Sequence, residues 1–428
     1  MRHKINSLRI AVVNWSRRKV GGVETYLGNV IPEIVRRGHE LSFWSEVDVP
    51  HDREQIGLPE GVPAWCVSEL GEEVAFEELR AWRPDLLYVH KVMLPRVEEK
   101  LLDVAPAVFF AHDYYGTCIS GLKTHKYPEI VPCERSFGRL CLLHYYPRRC
   151  GGLNPLTMLK LFRVQSSRLA LLPRYRAIVT HSSHMREEYL RNGLPAENVH
   201  SLSYYAHAGQ DFEGVPAAPD WRDTGRVEPA ERNRFHLLFS GRMDKLKGGS
   251  VLISALPEVS AALGVPLAVT FAGDGPERLR WEEHARAAQA RLEGVTVRFV
   301  GWLDKPQLDS LYADADLLVF PSLWPEPFGL TGLEAGQHGL PVAAFPVGGV
   351  KDWLIDGVNG HLTEGKSHDA SALAKAIVKC LRDRADYARL RRGALSTTKK
   401  FTLDVHLHAL MDVLRRVSGE AEDCRGSV

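Results

Sequence analysis

The chain has 428 residues, of which 45% are hydrophobic and 25% are charged, a composition typical of folded globular proteins. This composition excludes disordered, collagen-like and disulfide-scaffold proteins. The formal net charge is +1, from 54 Lys and Arg against 53 Asp and Glu, so the chain as a whole is not a nucleic-acid-binding polycation. At roughly 100–200 residues per domain, the length predicts two or three domains.

Apolar stretches in the sequence are short. No run of about 18 apolar residues occurs, so no membrane span is predicted. The apolar run at residues 10–13 is too short for the core of a signal peptide. We therefore expect a cytoplasmic chain, in which a reducing environment keeps the seven cysteines as thiols or metal ligands.

Strand and helix patterns alternate along the first half of the chain. An apolar run at residues 8–14 precedes a turn at Gly21-Gly22, and an amphipathic stretch over residues 23–37 then ends at Gly38. Strand, glycine turn and helix form the first half of a βαβ unit. Further strands are predicted at residues 40–45, 86–90, 107–112 and 177–181. This alternation favours a parallel sheet with helices on both faces.

Residues 206–234 are rich in proline and charge and have no periodicity, which predicts an interdomain linker. After it the alternation resumes, with strands predicted at 235–240, 267–272, 295–300, 316–321 and 341–346, and helices at 249–262, 277–292, 307–313, 329–338 and 370–381. We therefore expect an N-terminal domain over residues 1–205, interrupted by an insertion at about 113–176, and a C-terminal domain over 235–400. A closing helix and tail, 401–428, can pack on either domain, including back on the N-terminal one.

The densest cluster of candidate binding residues follows the strand predicted at 316–321. There residues 325–335 have the sequence PEPFGLTGLEA and open a helix. Unpaired N–H groups at a helix start attract anions and sugar hydroxyl oxygens. Glu326 and Glu334 frame this start, and their carboxylates can accept hydrogen bonds from a polyhydroxylated ligand. For either glutamate alone, a solvated acid near a helix cap is the alternative interpretation.

A second cluster joins the end of the strand at 235–240 to the next helix. It contains Arg242, Lys245 and Lys247, and the arginine fork and the lysine ammonium both suit phosphate. Gly21-Gly22 is another phosphate-loop candidate, although the G-x-G-x-x-G dinucleotide fingerprint is absent. Each signal alone is weak, because basic loops are usually solvated.

Taken in order, these motifs resemble the retaining glycosyltransferases of family 4. They are GGVETYL, SGR…KGG, AGDGPE, FVGWL, ADLLVFPS…EPFGLTGLEA, GLPVAAFPVGGV and DGVNGHL, and the resemblance covers almost all of residues 8–400. It implies the α/β architecture named GT-B, in which two Rossmann-like doubly wound domains face a central cleft. It also implies metal-independent transfer of a sugar, with retention of configuration and no required cofactor, from a UDP-, GDP- or ADP-sugar to a hydroxyl of a glycan, lipid-linked or small-molecule acceptor.

The resemblance assigns roles to residues by position. Those implied to bind the donor are Gly21, Gly22, Arg242, Lys247, Phe328, Gly329, Leu330, Thr331 and Glu334. Those implied to take part in catalysis are His112, Arg242, Lys247 and Glu326. Arg242 and Lys247 would neutralise the diphosphate, Glu334 would bind the ribose, and Glu326 would hold the transferred sugar. The chain departs from the family at residues 204–211, which replace its usual Asn-Gly turn, so donor contacts from that loop are not carried over.

Two other functions stay open. A non-hydrolysing sugar-nucleotide epimerase has the same fold and needs no acceptor. A catalytically idle carbohydrate-binding protein is the other alternative, against which the intact set of charged residues argues. Asp314-Ala315-Asp316 is similar to a metal-binding Asp-x-Asp motif, but it joins a helix end to a buried strand, so we expect a structural role and no metal site.

The insertion has two unusual features. It contains Cys118, Cys133, Cys141 and Cys150, whose spacing matches no common zinc site, so that structural zinc and thiols both stay open. Residues 135–186 also include no acidic residue and ten basic ones, namely Arg135, Arg139, Arg148, Arg149, Lys160, Arg163, Arg168, Arg174, Arg176 and Arg186. Such a stretch can lie peripherally on an anionic membrane, at its inner face. The alternative is a solvated helix face beside the acceptor; no nucleic-acid partner is expected.

Overall fold

The computed structural model describes residues 7–206, 234–365 and 368–425, so most of the expected linker lies outside the described residues. The strands are β1 (Arg9–Ser16), β2 (Glu40–Val47), β3 (Ala64–Cys66), β4 (Leu86–Val89), β5 (Ala107–Phe110), β6 (Thr124–His125), β7 (Val131–Pro132), β8 (Ala177–Thr180), β9 (Val199–Ser201), β10 (Phe235–Ser240), β11 (Leu267–Ala272), β12 (Val295–Gly301), β13 (Leu317–Phe320), β14 (Val342–Ala344) and β15 (Gly360–Leu362).

The helices are α1 (Gly22–Arg36), α2 (Val67–Leu70), α3 (Glu72–Ala81), α4 (Pro95–Leu101), α5 (Leu140–Tyr145), α6 (Pro155–Leu171), α7 (Ser183–Arg191), α8 (Gly249–Leu263), α9 (Arg278–Gln289), α10 (Lys305–Asp314), α11 (Leu330–Gln337), α12 (Ala370–Leu381), α13 (Arg384–Thr398) and α14 (Leu403–Arg425). Within the described ranges, no helix is long and apolar enough to cross a bilayer.

The described residues form two compact units, and the first holds those up to Leu122, Arg135–Ser203 and those from Leu403 onward. Its sheet has the strand order β3-β2-β1-β4-β5-β8-β9, and every neighbouring pair is parallel. Strands β4, β5 and β8 are buried along their whole length, as expected when helices cover both faces of a parallel sheet. The carboxyl ends of these three strands therefore lie side by side.

Helix α14 belongs to this first unit although it ends the chain. It contacts α1, β4 and β5, and its His406 is buried there. The Tyr26 hydroxyl lies 2.8 Å from His406 Nε2, and Arg37 forms an ion pair with Asp404. Polar contacts thus fix the first turns of α14 to α1.

The second unit comprises Lys123–Glu134 and the described part of Tyr204–Thr402. Its sheet has the order β12-β11-β10-β13-β14-β15, again with every neighbouring pair parallel. Burial alternates along β12, because this edge strand covers the core with only one face. Two parallel α/β sheets in separate units confirm the predicted fold class.

One segment of the insertion departs from the expected domain boundaries. The structure groups Lys123–Glu134, which includes the antiparallel pair β6 and β7, with the second unit. Lys123 and Thr124 are buried, and Glu129 Oε2 lies 3.4 Å from His368 Nε2. Sequence patterns could not show this, because the segment has only two residues in each strand.

Candidate functional site

In the second unit, the loop between β10 and α8 approaches the end of β13 closely. Gly248 has a φ of +71°, and a Cβ built on it would lie 1.8 Å from the carbonyl oxygen of Pro321. Only glycine allows both the left-handed backbone and this approach. The consequence is that Lys247 lies beside the segment that follows β13.

Lys247 and Glu326 form an ion pair at this point. The Nζ of Lys247 lies 2.6 Å from Oε1 of Glu326, and the Ser322 hydroxyl donates to the same oxygen at 2.7 Å. Glu326 is only 4% exposed, and Lys247 Nζ lies 5.3 Å from the centre of the Trp324 ring. The buried carboxylate is therefore compensated and held in one orientation by two donors.

Helix α11 begins next to this pair. Gly329, its N-cap, has a φ of +92°, and the Trp353 indole donates to the carbonyl of Phe328 at 2.7 Å. A Cβ at Gly332 would lie within 1.9 Å of the Trp353 ring, so the indole packs directly on the helix backbone. Leu330 and Thr331 are partly exposed. The first turn of α11 can therefore offer backbone N–H groups to an anion or a sugar hydroxyl.

Glu334 lies further along α11. Its Oε2 accepts a hydrogen bond of 3.3 Å from the Tyr312 hydroxyl. Burial raises the pKa of Glu334, while the positive charge of Lys305 and the Tyr312 hydrogen bond oppose that rise. A carboxylate in such surroundings gains from hydroxyl donors, because each one compensates lost hydration.

Arg242 lies on the same loop as Lys247 but in different surroundings. Its side chain is exposed, and no hydrogen bond or ion pair is found for it within the part of the chain that the structure describes. Its five N–H donors can therefore all be offered to a ligand.

In the first unit, Gly21 and Gly22 lie exposed at the start of α1. Gly21 N–H donates to Oε2 of Glu24 at 2.9 Å, and Oε1 of the same carboxylate accepts from Asn14 Nδ2 at 3.1 Å. Gly21 has an extended backbone, and a Cβ at Gly22 would meet nothing within 4 Å. Neither backbone strain nor packing inside the first unit explains these two glycines.

His112 lies just after β5 and contacts two further histidines that follow neighbouring strands. His90 follows β4 and His181 follows β8, so all three lie at the carboxyl edge of the sheet. His90 Nδ1 lies 2.8 Å from His112 Nε2, and the ring centres of His112 and His181 are 5.8 Å apart. Burial lowers the pKa of His90 and His181 to about 3, and it lowers the pKa of His112 well below its ordinary value.

The hydrogen bond between His90 and His112 indicates which nitrogens carry protons. His90 Nε2 is buried and has no hydrogen-bond partner. A buried N–H without an acceptor is costlier than a bare lone pair, so the His90 proton belongs on Nδ1, from which it donates to His112 Nε2. Neutral His112 then carries its own proton on Nδ1 and can act as a hydrogen-bond donor through that atom.

Four residues of these clusters were not predicted from the sequence, namely His90, His181, Ser322 and Tyr312. A signal for the two histidines was present, since the strands predicted at 86–90, 107–112 and 177–181 each end in histidine. Ser322 ends the quoted motif ADLLVFPS, but nothing in the sequence indicated its partner, and no signal pointed to Tyr312, because these contacts are set by packing.

The Asp314-Ala315-Asp316 motif joins α10 to β13, as expected. Buried Asp316 accepts from the backbone N–H of His236 at 2.7 Å, and Asp314 Oδ2 lies 3.4 Å from His236 Nδ1. These aspartates therefore hold β10 and β13 together. Among the residues placed in the structure, no three His, Cys, Asp or Glu side chains are grouped so that they could hold a metal ion, at the insertion cysteines or elsewhere.

Comparisons with known proteins match both units. The model described as "Glycosyl transferases group 1" matches residues 222–396, and the model described as "Glycosyltransferase Family 4" matches residues 20–203. D-inositol 3-phosphate glycosyltransferase 1 of Catenulispora acidiphila is 33% identical over 229 residues, which are 52% of this chain and 53% of that protein. This chain spans about half the length of such curated relatives.

Two further proteins are similar over most of their length. An uncharacterised glycosyltransferase of Methanocaldococcus jannaschii is 25% identical over 85% of this chain and 87% of its own. The structure of Anabaena HepE in complex with UDP and glucose matches with a TM-score of 0.62 and 20% identity, over 96% of this chain and 100% of that one. Together with the two family models, which match successive parts of the sequence, these results show that the chain belongs to the group 1 glycosyltransferases of family 4 and has their GT-B fold.

Proposed function

We propose that this protein is a retaining glycosyltransferase, which moves a sugar from a nucleoside-diphosphate sugar to a hydroxyl group of an acceptor. The observation that carries the proposal is the Lys247–Glu326 ion pair beside the start of α11. It brings together a cation, a buried carboxylate and backbone N–H groups. The cation and the backbone N–H groups suit a diphosphate, and the buried carboxylate suits a sugar.

The cations of the β10–α8 loop act on the leaving diphosphate. Negative charge grows on that group as its bond to the sugar breaks, so Arg242 and Lys247 stabilise the transition state more than the ground state. As the family resemblance implies, the Gly21-Gly22 turn at the start of α1 binds phosphate, through the Gly22 N–H because the Gly21 N–H already donates to Glu24. These fixed positive groups neutralise the charge of the diphosphate, as a metal ion does in other enzymes. We therefore propose that transfer does not depend on a metal.

The two glutamates have separate tasks. Glu334, which already accepts one hydroxyl donor, takes the ribose hydroxyls of the nucleotide. Glu326 and the segment Phe328 to Thr331 hold the hydroxyls of the transferred sugar. Because Lys247 and Ser322 already bind Oε1 of Glu326, this carboxylate is a poor nucleophile, which favours a binding role over a covalent one.

Retention of configuration then follows from attack on the face that the diphosphate leaves. The acceptor oxygen bonds to the sugar carbon, the sugar–phosphate bond breaks, and the leaving phosphate oxygen takes the acceptor's proton. His112 donates a hydrogen bond from Nδ1 to the sugar or the acceptor and does not serve as a base. This mechanism is the one that the family resemblance implies.

The donor base and the acceptor are proposed by class. UDP-sugars are the first donors to test, because the Anabaena structure contains UDP and glucose. GDP- and ADP-sugars are tested next. The acceptor is a glycan, a lipid-linked sugar or a small hydroxyl compound such as the inositol phosphate for which the Catenulispora relative is named.

Thermal unfolding with UDP-, GDP- and ADP-sugars tests the donor. A ligand at 100 times its Kd adds about 2.7 kcal/mol to the free energy of unfolding, so the true donor should raise the melting temperature clearly. Transfer from that donor, with the product's anomeric configuration read by NMR, tests the reaction with and without a chelator. Inversion, or activity restored only by added metal, contradicts the proposal. Conversion of the donor into its epimeric nucleotide sugar, in the absence of any acceptor, favours the epimerase.

A further inference from the structure

The insertion of the first unit presents an exposed apolar surface on α5, the following loop and the first turns of α6. We name it the leucine surface, and its members are Leu140, Leu143, Leu153, Leu156 and Leu159. Their exposed fractions run from 41% to 83%. Such a cluster on one short segment differs from the single exposed apolar residues that are normal on a protein surface.

The leucine surface is not needed for packing within the unit. The opposite faces of α5 and α6 already form a small core around Ile119, Phe137 and Tyr145, against which Met158 and Phe162 pack. Asn154 fixes the start of α6, because its side chain accepts hydrogen bonds from the backbone N–H groups of Leu156 and Thr157. Leu153 and Leu156 are therefore held outward by a well-packed and capped helix.

Exposed positive charge occurs on the same segment as these leucines. Arg139, Arg149, Lys160 and Arg163 are all exposed, and no acidic residue occurs from 135 to 186. Three of the ten basic residues counted from the sequence form bonds within the unit and belong to a different group. Arg168 donates to the carbonyls of Val92 and Met93, Arg174 pairs with Asp103, and Arg186 donates to the carbonyl of Val199.

We propose that the leucine surface inserts into an anionic lipid bilayer. Exposed apolar side chains interspersed along the segment with Lys and Arg fit such a bilayer, because the leucines enter the acyl boundary while the cations stay among negative headgroups. Half-exposed Tyr146 has the amphipathic ring that is common at this boundary. A second copy fits poorly, since a symmetric contact would place the same positive groups against one another.

This proposal differs from electrostatic adsorption of a basic helix. If charge alone held the protein, binding would vanish as salt screens attraction beyond about 8 Å. Inserted leucines add a contribution that salt does not screen, so part of the binding should persist. The proposal is independent of the transferase activity, because binding to vesicles is read without a sugar donor.

Sedimentation of the full chain with vesicles tests it, using phosphatidylcholine vesicles with and without phosphatidylglycerol at low and high salt. The test variants are Leu153→Ser/Leu156→Ser and Lys160→Glu/Arg163→Glu. The matched control is Leu279→Ser, which changes a leucine that is 74% exposed on α9 of the second unit. All these side chains are solvent-exposed, so each variant should keep the wild-type melting temperature.

We expect wild type and Leu279→Ser to bind only the anionic vesicles, and both surface variants to bind at least about tenfold more weakly. Absence of wild-type binding at low salt overturns the proposal, and so does unchanged binding by the leucine variant, which would leave charge as the sole attraction. Sedimentation equilibrium without lipid provides the other check. A wild-type dimer that the leucine variant converts to a monomer would make a second copy the occupant and also overturn the proposal.

Discussion

Lys247 Nζ lies 2.6 Å from Glu326 Oε1, whereas Arg242, five residues earlier on the same loop, is exposed and unpaired within the described ranges. The two cations were assigned one role by the family resemblance. Their surroundings give them different effects on stability, because only Lys247 compensates a buried charge.

Arg242→Ala should therefore lower turnover roughly 100- to 1,000-fold while leaving the free energy of unfolding within about 0.5 kcal/mol of wild type. Lys247→Ala should lower turnover similarly and also lower the free energy of unfolding by about 1–3 kcal/mol, because Glu326 would lose its charged partner. Steady-state kinetics and urea unfolding measure the two effects. Lys245→Ala, an exposed lysine on the same loop, is the matched control and should change neither quantity. Near-normal turnover in both test variants would remove these residues from the site.

Glu334→Gln should weaken binding of the sugar-free nucleoside diphosphate by roughly tenfold or more, the effect of losing hydrogen bonds to a charged acceptor. Since burial raises the pKa of Glu334, wild-type affinity should fall on acidification as this carboxylate takes up a proton. Calorimetric Kd values from pH 8 to pH 5 measure both effects, and the part of the pH dependence of affinity that is due to Glu334 should be missing in the variant.

Glu326→Gln should leave nucleotide affinity nearly intact and reduce transfer. Equal losses of nucleotide affinity in both variants would refute the division of roles.

Gly21→Ala and Gly22→Ala should leave stability unchanged, since the nearest atom to either new Cβ lies 3.9 Å away. If the turn binds the diphosphate through its backbone, the added methyl groups should still lower turnover by about tenfold or more. Gly248→Ala is the contrasting case, with a Cβ 1.8 Å from Pro321 O and a positive φ, and it should lower the free energy of unfolding by more than about 2 kcal/mol. Melting curves measure the stability of the three variants, and initial rates measure their turnover. Full activity in Gly21→Ala and Gly22→Ala would exclude the turn from the donor site.

The sequence predicted most where burial alone determines structure. The strands β4, β5 and β8 are continuous apolar runs buried on both faces, and α12 begins directly after its cap Asp369, so their positions were clear. Helix α13, with the sequence RADYARLRRGALSTT, was missed although its buried residues Tyr387, Leu390 and Ala394 have helical spacing. It is ordered by contacts with α11 and α12, which a local pattern does not contain.

For the candidate site, sequence gave the residue types but not their partners. Lys247 and Glu326 are 79 residues apart, and their contact depends on the approach of Gly248 to Pro321. Arg168 was counted as a surface charge, yet its guanidinium lies 3.9 Å from the Tyr115 ring centre and bonds to backbone carbonyls. Spacing cannot distinguish such a partly buried, bonded arginine from a solvated one.

The buried histidines of the first unit should make the protein sensitive to acid. Burial lowers the pKa of His90 and His181 to about 3 and that of His406 to about 4, whereas unfolded histidine titrates near about 6.5. Below pH 6.5 the unfolded chain therefore binds more protons than the folded chain does. The contribution of these histidines to the free energy of unfolding is fully present above that pH. It falls toward pH 4 by up to about 1.4 kcal/mol per pH unit for each histidine.

Urea unfolding at pH 7, 6 and 5 measures how steeply the free energy of unfolding changes with pH. His406→Gln should reduce this slope by up to about 1.4 kcal/mol per pH unit. Glutamine can still accept from Tyr26 and donate to the carbonyl of Ser203, but it does not titrate. His408→Gln is the matched control on the same helix, because His408 is exposed and should leave the slope unchanged. A slope that His406→Gln does not alter would mean that His406 titrates in the folded chain as it does in the unfolded one, and its burial would then have no part in the response to acid.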